Sequence, residues 1–203
     1  MIRREFLALA AALPAAALAG SWVPEAALFQ EKAYSNGKPL KDKPLAFADF
    51  REFYNARRVK PVTFRDIDGK GEHSLSEFSG KFVILDVWAT WCEPCVRELP
   101  ALIKMQKRYN REGSNIRVVP VSIDDADTDI REFLAEHKAG GYQTWRDPEL
   151  ALKKIIPTDV VPAAFMFDGR GNMVAFMRGY VDWDSMGVEE FLGRLAEKYA
   201  VTG

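Results

Sequence analysis

The chain has 203 residues, of which 48% are hydrophobic and 12% aromatic, a composition that supports a buried core and argues against a disordered protein. The formal net charge of -1 provides no overall basic field, so nothing in the composition favours a nucleic-acid partner. This length predicts one domain with appendages rather than two full domains.

The first 19 residues have the pattern of an export signal. The pair Arg3 and Arg4 precedes an uncharged stretch rich in alanine and leucine over residues 6–19. That stretch is shorter than the roughly 20 residues of a membrane-spanning helix, and it ends in small residues that suit cleavage. We therefore predict a signal peptide over residues 1–19 and an exported, periplasmic protein. The arginine pair also matches a twin-arginine signal, so the Sec and twin-arginine routes both stay open, as does an uncleaved N-terminal anchor.

Residues 20–60 carry loop signals and are interpreted as an N-terminal extension with a short amphipathic turn near residues 47–54. Apolar periodicity then predicts strands 61–67, 82–88 and 116–123, helices 96–111, 127–138, 149–156 and 185–199, and a late hairpin over 163–167 and 173–177. Strands that alternate with helices pair in parallel, and the hairpin adds antiparallel strands. We expect an α/β domain over residues 61–203, with a central mixed sheet and helices on both of its faces.

The chain has two cysteines, Cys92 and Cys95, and they are separated by Glu93 and Pro94. The pair stands where a predicted buried strand gives way to a helix, and the first turn of a helix favours a thiolate through its free N–H groups and its dipole. Cys92 is therefore predicted to attack disulfides, and Cys95, on nearly the same helical face, to resolve the mixed disulfide. Pro94 fits the first turn because its missing N–H is not needed there.

Two structural roles compete with this redox interpretation. Half of a zinc site would need two further ligands, and the chain's histidines, His73 and His137, are remote from the cysteines and lack ligand spacing. A structural disulfide across so short a loop would add little stability. We expect no metal and no cofactor.

The residues around the cysteines resemble a known family. Residues 82–95, FVILDVWATWCEPC, are similar to the active-site segment of the thioredoxin superfamily, and residues 97–100, RELP, extend the similarity to its TlpA/ResA-like branch. The resemblance covers residues 61–199 and implies a thioredoxin fold, here with an N-terminal hairpin or extension. It also implies a thiol:disulfide oxidoreductase, in particular a reductase of periplasmic protein disulfides such as those of cytochrome c maturation or a copper site. A membrane electron donor of the DsbD or CcdA type would recycle it. We expect a monomer.

Two carboxylic acids are candidate proton-transfer groups. Asp86 interrupts an apolar strand, and a buried carboxylate has a raised pKa that suits proton transfer near neutral pH. The resemblance places this acid behind the second cysteine. Glu98 lies near the cysteine face of the helix, and the resemblance gives it proton handling or substrate selection at the active site. A solvated surface position is the alternative for each. TlpA/ResA-like proteins often have asparagine at the position of Asp86, so which acid does the work stays open.

The expected substrate-binding residues flank the disulfide. Val161 and Pro162 precede a strand, as the cis-proline of the family does, and the resemblance implies that they dock an extended substrate backbone; an ordinary trans proline is the alternative. Trp91 is predicted to shield the thiolate and to form a binding surface together with Pro94, and simple packing is the alternative. Pro100 matches the proline that kinks the active-site helix of the family.

Other functions remain as alternatives. An oxidase or isomerase runs the same chemistry in another direction, although Glu93 and Pro94 resemble the reductase branch and DsbA-like oxidases usually have Pro-His there. A thioredoxin-fold copper chaperone would have Cys-x-x-x-Cys and a downstream histidine, whereas this chain has one residue fewer between its cysteines and no histidine after His137. The Pro-x-x-x-Thr/Ser-x-x-Cys pattern of a peroxidase is missing.

Overall fold

The fold is given by a computed structural model, which describes residues 32–156 and 158–201. The predicted signal peptide, residues 1–19, and the first part of the predicted extension lie outside the described residues. Within the described ranges, none of the helices combines the length and the apolar character that crossing a membrane requires.

One mixed sheet of nine strands organises the described chain, in the spatial order β1-β2-β9-β8-β5-β6-β7-β3-β4. The strands are β1 (Lys32–Ser35), β2 (Arg51–Arg57), β3 (Phe64–Asp66), β4 (Glu72–His73), β5 (Phe82–Trp88), β6 (Ile116–Ser122), β7 (Trp145–Arg146), β8 (Ala163–Phe167) and β9 (Met173–Arg178). The α-helices are α1 (Glu93–Tyr109), α2 (Ile130–Glu136) and α3 (Val188–Tyr199), with 3-10 turns at Leu45–Phe47, Leu75–Phe78 and Leu152–Lys154. Central β5 runs parallel to β6 and antiparallel to β8, which confirms the predicted α/β class and mixed sheet.

Alternate residues of β5 belong to two apolar clusters, because successive side chains of a strand point to opposite faces. Ile84 and Trp88 join the cluster that contains both cysteines and the buried residues of α1, α2 and α3. Val83 and Val87 join the second cluster, to which the 3-10 turns contribute Leu152 and other apolar side chains. The helical cover of this second face therefore consists of 3-10 turns, whereas the three α-helices pack on the face that carries the cysteines.

The N-terminal extension is part of the sheet. β1 and β2 form an antiparallel hairpin, and β2 pairs with β9. The amphipathic turn predicted near residues 47–54 is wrong over most of its length, since only Leu45–Phe47 is a 3-10 turn and Arg51–Arg57 is a strand. Phe47 and Phe50 anchor this segment by packing their rings edge-on against Phe191 of α3. The domain boundary at residue 61 stays a prediction.

The helix predicted over residues 149–156 is also wrong, because only Leu152–Lys154 forms a 3-10 turn. The carboxylate of Asp147 accepts the backbone N–H groups of Ala151 and Leu152 at 2.9 and 2.7 Å, which holds the chain in a turn. Leu150 has a φ of 49°, in the left-handed region that a regular right-handed helix does not contain. Local side-chain capping thus overrides the apolar spacing of this segment.

Candidate active site

The two cysteines lie where β5 passes into α1. Cys92 is the N-cap residue of the helix, and its Sγ accepts the backbone N–H of Cys95 at 3.2 Å. The two residues are joined by a disulfide, with their Cα atoms 5.3 Å apart. Pro94 occupies the first turn of the helix, where no intrahelical N–H is required. This placement puts the sulfur of Cys92 at the positive end of the helix dipole, which favours a thiolate after reduction.

The loop between β5 and α1 is held by a buried carboxylate that the sequence interpretation did not single out. Asp124 accepts the backbone N–H of Thr90 at 3.0 Å, its hydroxyl at 2.7 Å and the hydroxyl of Ser122 at 2.7 Å. In the sequence, the only sign of this residue was that two consecutive aspartates, Asp124 and Asp125, follow β6. Asp124 is therefore a positioning residue, which ties the segment leading to Cys92 to the end of the neighbouring strand.

The Asp124→Ala variant should unfold more easily, because Thr90 and Ser122 lose a charged hydrogen-bond acceptor in a buried place. Hydrogen bonds to charged groups contribute about 1.5–3 kcal/mol, so we expect the free energy of unfolding to fall by about 2–4 kcal/mol in urea titrations of the oxidised protein. The matched control is Asp125→Ala, since Asp125 is the exposed neighbour and its loss should cost less than about 0.5 kcal/mol. Equal effects of the two substitutions would contradict the assigned role.

Asp86 is buried on the face of β5 that packs toward α1, with 1% of its surface exposed. The structure thus contradicts the solvated alternative for this residue. Burial raises the pKa of the Asp86 carboxyl to about 7, and the hydrogen bond that the Tyr142 hydroxyl donates at 3.1 Å acts in the opposite direction. A carboxyl group with this pKa can take up and release a proton near neutral pH.

Glu98 is buried as well, with 2% of its surface exposed, three positions after Cys95 on α1. Its carboxylate accepts the backbone N–H of Val181 at 2.5 Å and the indole N–H of Trp183 at 3.3 Å. Burial, followed by the negative charge of Asp86, raises the pKa of Glu98 to about 8, while the two hydrogen bonds and Arg97 act to lower it. The two acids therefore interact electrostatically next to the helix that carries both cysteines.

Tyr142 and Trp183 complete this acidic cluster and were missed by the sequence interpretation. Burial, together with the charges of Asp86 and Glu98, raises the pKa of the Tyr142 hydroxyl well above its ordinary value, so this hydroxyl stays a donor. The ring of Tyr142 packs edge-on against Trp88, with centroids 5.6 Å apart. Both residues lie in loops, where apolar periodicity gives no signal.

The Val161–Pro162 peptide bond is cis, as predicted. Pro162 leads into β8, whose first residue pairs with Val87 near the end of β5, and Val161 packs against the cluster that contains both cysteines. Trp91 is 68% exposed, so packing does not explain its presence beside Cys92. The substrate-binding roles of these residues stay predictions.

Comparisons with known proteins decide the family. The sequence model of the AhpC/TSA family matches residues 56–176, which is more than half of the chain. The chain belongs to the AhpC/TSA family. A relative from Bacillus thuringiensis subsp. konkukian named thiol-disulfide oxidoreductase ResA is 25% identical over 130 residues, covering 64% of this chain and 72% of the relative.

Solved structures share the fold of this chain. A structure from Chlorobium tepidum described as a thiol:disulfide interchange protein DsbE is 25% identical, with a TM-score of 0.58, and the match covers 68% of this chain and 95% of that one. A structure described as a secreted thiol-disulfide isomerase from Corynebacterium glutamicum has a TM-score of 0.60 at 18% identity, covers 78% and 98% of the two chains, and shows the fold alone. This AhpC/TSA protein is therefore a thiol-disulfide oxidoreductase with a thioredoxin fold, as the resemblance implied.

Proposed function

We propose that this protein acts as a reductase of disulfides in client proteins outside the cytoplasm. The observation that carries the proposal is the acidic surroundings of the disulfide. Glu93 stands between the two cysteines, and Asp86 and Glu98 add negative charge next to α1 as they ionise at pH 7 to 8 and above. Negative charge near a sulfur opposes the stabilisation that the helix dipole gives the Cys92 thiolate, and a pair whose reduced form is less stable gives up electrons more readily. The strong oxidant DsbA shows the opposite case, in which the reduced form is stabilised.

The reaction proceeds by two exchanges in which atoms and electrons balance. The thiolate of Cys92 attacks one sulfur of the client disulfide, forming a Cys92–client bond and releasing the other client sulfur, which takes up a proton. Cys95 then loses its proton and attacks Sγ of Cys92, which forms the Cys92–Cys95 disulfide and releases the second client thiol. The client gains two electrons and two protons. Asp86 or Glu98, whichever is ionised, accepts the one proton of Cys95, and their raised pKa values of about 7 and about 8 let either acid hold that proton near neutral pH.

The cellular setting follows from the N-terminus and from the resemblance. Export would place the protein where disulfides form, so it must be reduced again after each cycle. A membrane electron donor of the DsbD or CcdA type fits this need. The resemblance to the TlpA/ResA-like branch implies clients such as the heme-site cysteines of apocytochrome c or copper-site cysteines, and the relatives named ResA support thiol-disulfide exchange as the reaction. An oxidase or isomerase is the competing proposal.

The reduction potential of the Cys92–Cys95 couple tests the direction of electron flow. Equilibration of the purified protein with thiol/disulfide buffers should give a value near that of thioredoxin, about −270 mV. The Glu93→His variant removes a negative charge and introduces an imidazole that is partly protonated near neutral pH, so its potential should rise by about 30 mV, which corresponds to tenfold in the equilibrium constant. A wild-type value near −120 mV, as in DsbA, would assign this protein to disulfide donation instead.

A further inference from the structure

Four large apolar side chains extend into solvent at the active-site end of the molecule. Leu45 is 95% exposed, Met186 94%, Trp91 68% and Tyr180 51%. Single exposed apolar residues are common on protein surfaces, whereas a contiguous set indicates a binding surface. The contacts of their chain neighbours place these four residues on one end of the molecule, and we call the surface that they mark the apolar strip.

The strip begins beside the disulfide. The carbonyl of Pro162 accepts the N–H of Gly179 at 2.8 Å, which places the next residue, Tyr180, beside the cis-proline segment. Arg97, two positions after Cys95, holds its guanidinium 5.1 Å from the ring centroid of Tyr180. Tyr180 thus adjoins both the cis-proline segment and, through Arg97, the helix that carries Cys95.

The strip continues from Tyr180 to the N-terminal extension. Leu45 and Tyr180 line the same shallow surface groove. Pro44 lies against the loop before α3, since a Cβ atom added to Gly187 would be 3.6 Å from the Cβ of Pro44. Leu45 follows Pro44 and Met186 precedes Gly187, so both exposed residues come from the two segments that meet here, at the far end of the strip.

The exposed position of Leu45 is fixed by the structure beneath it. Phe47 of the same 3-10 turn is fully buried, and its ring packs against Trp183 at 5.7 Å and Phe191 at 5.8 Å between centroids. Trp183 in turn donates its indole N–H to the carboxylate of Glu98. A rigid turn tied to the active site holds Leu45 outward, and a surface that is ordered before binding loses little entropy when a partner binds.

We propose that the apolar strip binds an extended segment of the client polypeptide next to its disulfide, through apolar side chains of that segment. This inference rests on the proposed exchange with client disulfides. Continuity with the Cys92–Cys95 pair favours this occupant, because any client must lie across that end of the strip for its sulfur to reach Cys92. Leu45 comes from the N-terminal extension, so this part of the chain contributes to client selection.

Two synthetic disulfide-bridged peptides test the proposal, one with leucine, valine and phenylalanine around the cystine and one with serine and glycine. The measured quantity is the rate constant at which the reduced protein exchanges with each peptide, expressed as the apolar-to-polar ratio. We expect the double variant Leu45→Ser, Met186→Ser to lower this ratio by about 5- to 30-fold, the effect of losing partial burial of two apolar side chains. The control Val201→Ser removes another exposed apolar residue, at the opposite end of β5 beside Gly80, and should keep the wild-type ratio.

An unchanged ratio in the double variant would overturn the proposal. The proposal would also fail if the wild-type protein bound phospholipid vesicles and the double variant did not, because a membrane would then occupy the strip. It would fail likewise if the wild type sedimented as a dimer and the double variant as a monomer, because a second copy would then occupy it. Exchange rates do not depend on the direction of electron flow in the cell. A reduction potential near −120 mV would therefore reject the reductase role without affecting this test.

Discussion

Replacement of Cys92 by serine should nearly abolish turnover, whereas replacement of Cys95 by serine should yield a protein that attacks once and then stays bound to its client. A serine hydroxyl is not ionised near neutral pH, so loss of the Cys92 thiolate should lower the rate of disulfide exchange by about 10³-fold or more. The structure supports the order of attack, because Cys92 is the N-cap of α1 and is more accessible than Cys95, at 5% against 1% exposed.

The two variants are distinguished by mass spectrometry after mixing with a disulfide-bridged peptide. Cys95→Ser should accumulate a covalent adduct of one peptide chain at Cys92, and Cys92→Ser should remain unmodified over the same time. Urea titration under reducing conditions provides the folding control, since both substitutions are small and neither variant forms the intramolecular disulfide. Faster adduct formation through Cys95 in the Cys92→Ser variant would reverse the assigned roles.

The parts of the fold that the sequence predicted are those with a local pattern. The predicted strand 163–167 matches β8. Its five consecutive buried residues lie between a proline and a turn, so both ends of the strand could be predicted. Asp86 stood out as the one charged residue in a run of apolar ones, which is why its burial could be predicted. The Val161–Pro162 bond could be predicted as cis from the family resemblance alone, since X-Pro bonds are mostly trans.

The parts that the sequence did not reveal depend on contacts between distant segments. β2 has polar residues on both sides, and its partner β9 follows more than a hundred positions later, since Arg51 pairs with Phe176. Trp183 reaches Glu98 across 85 positions. Such contacts leave no periodic signal, because each residue is placed by the packing of its own loop. The active-site acids were therefore predicted without the tyrosine and tryptophan that hold them.

The Asp86→Asn variant should be more stable than the wild type above neutral pH and slower in turnover. In the unfolded chain Asp86 ionises at its ordinary pKa of 3.8, while burial holds the folded group protonated up to about 7. The wild type therefore loses stability as pH rises from about 4 to about 7, and the full penalty applies above that range. Asparagine removes the penalty and keeps an oxygen for the Tyr142 hydroxyl, so the free energy of unfolding should rise by roughly 2–4 kcal/mol at pH 8 and stay unchanged at pH 3.5.

The same substitution should slow the release of client from the mixed disulfide, because Cys95 loses a proton acceptor. We expect about a 10²-fold decrease near pH 7, measured as single-turnover release of peptide from Cys92 between pH 5 and 9. Glu98→Gln is the matched variant, because its amide preserves an acceptor for Val181 while removing the second acid. A larger decrease in Glu98→Gln would make Glu98 the main proton acceptor. If Asp86→Asn were less stable than the wild type at pH 8, burial would not be raising the pKa of Asp86. If client release were unchanged, Asp86 would not take part in proton transfer. A variant that gains stability and loses turnover shows that the wild-type group is retained for chemistry.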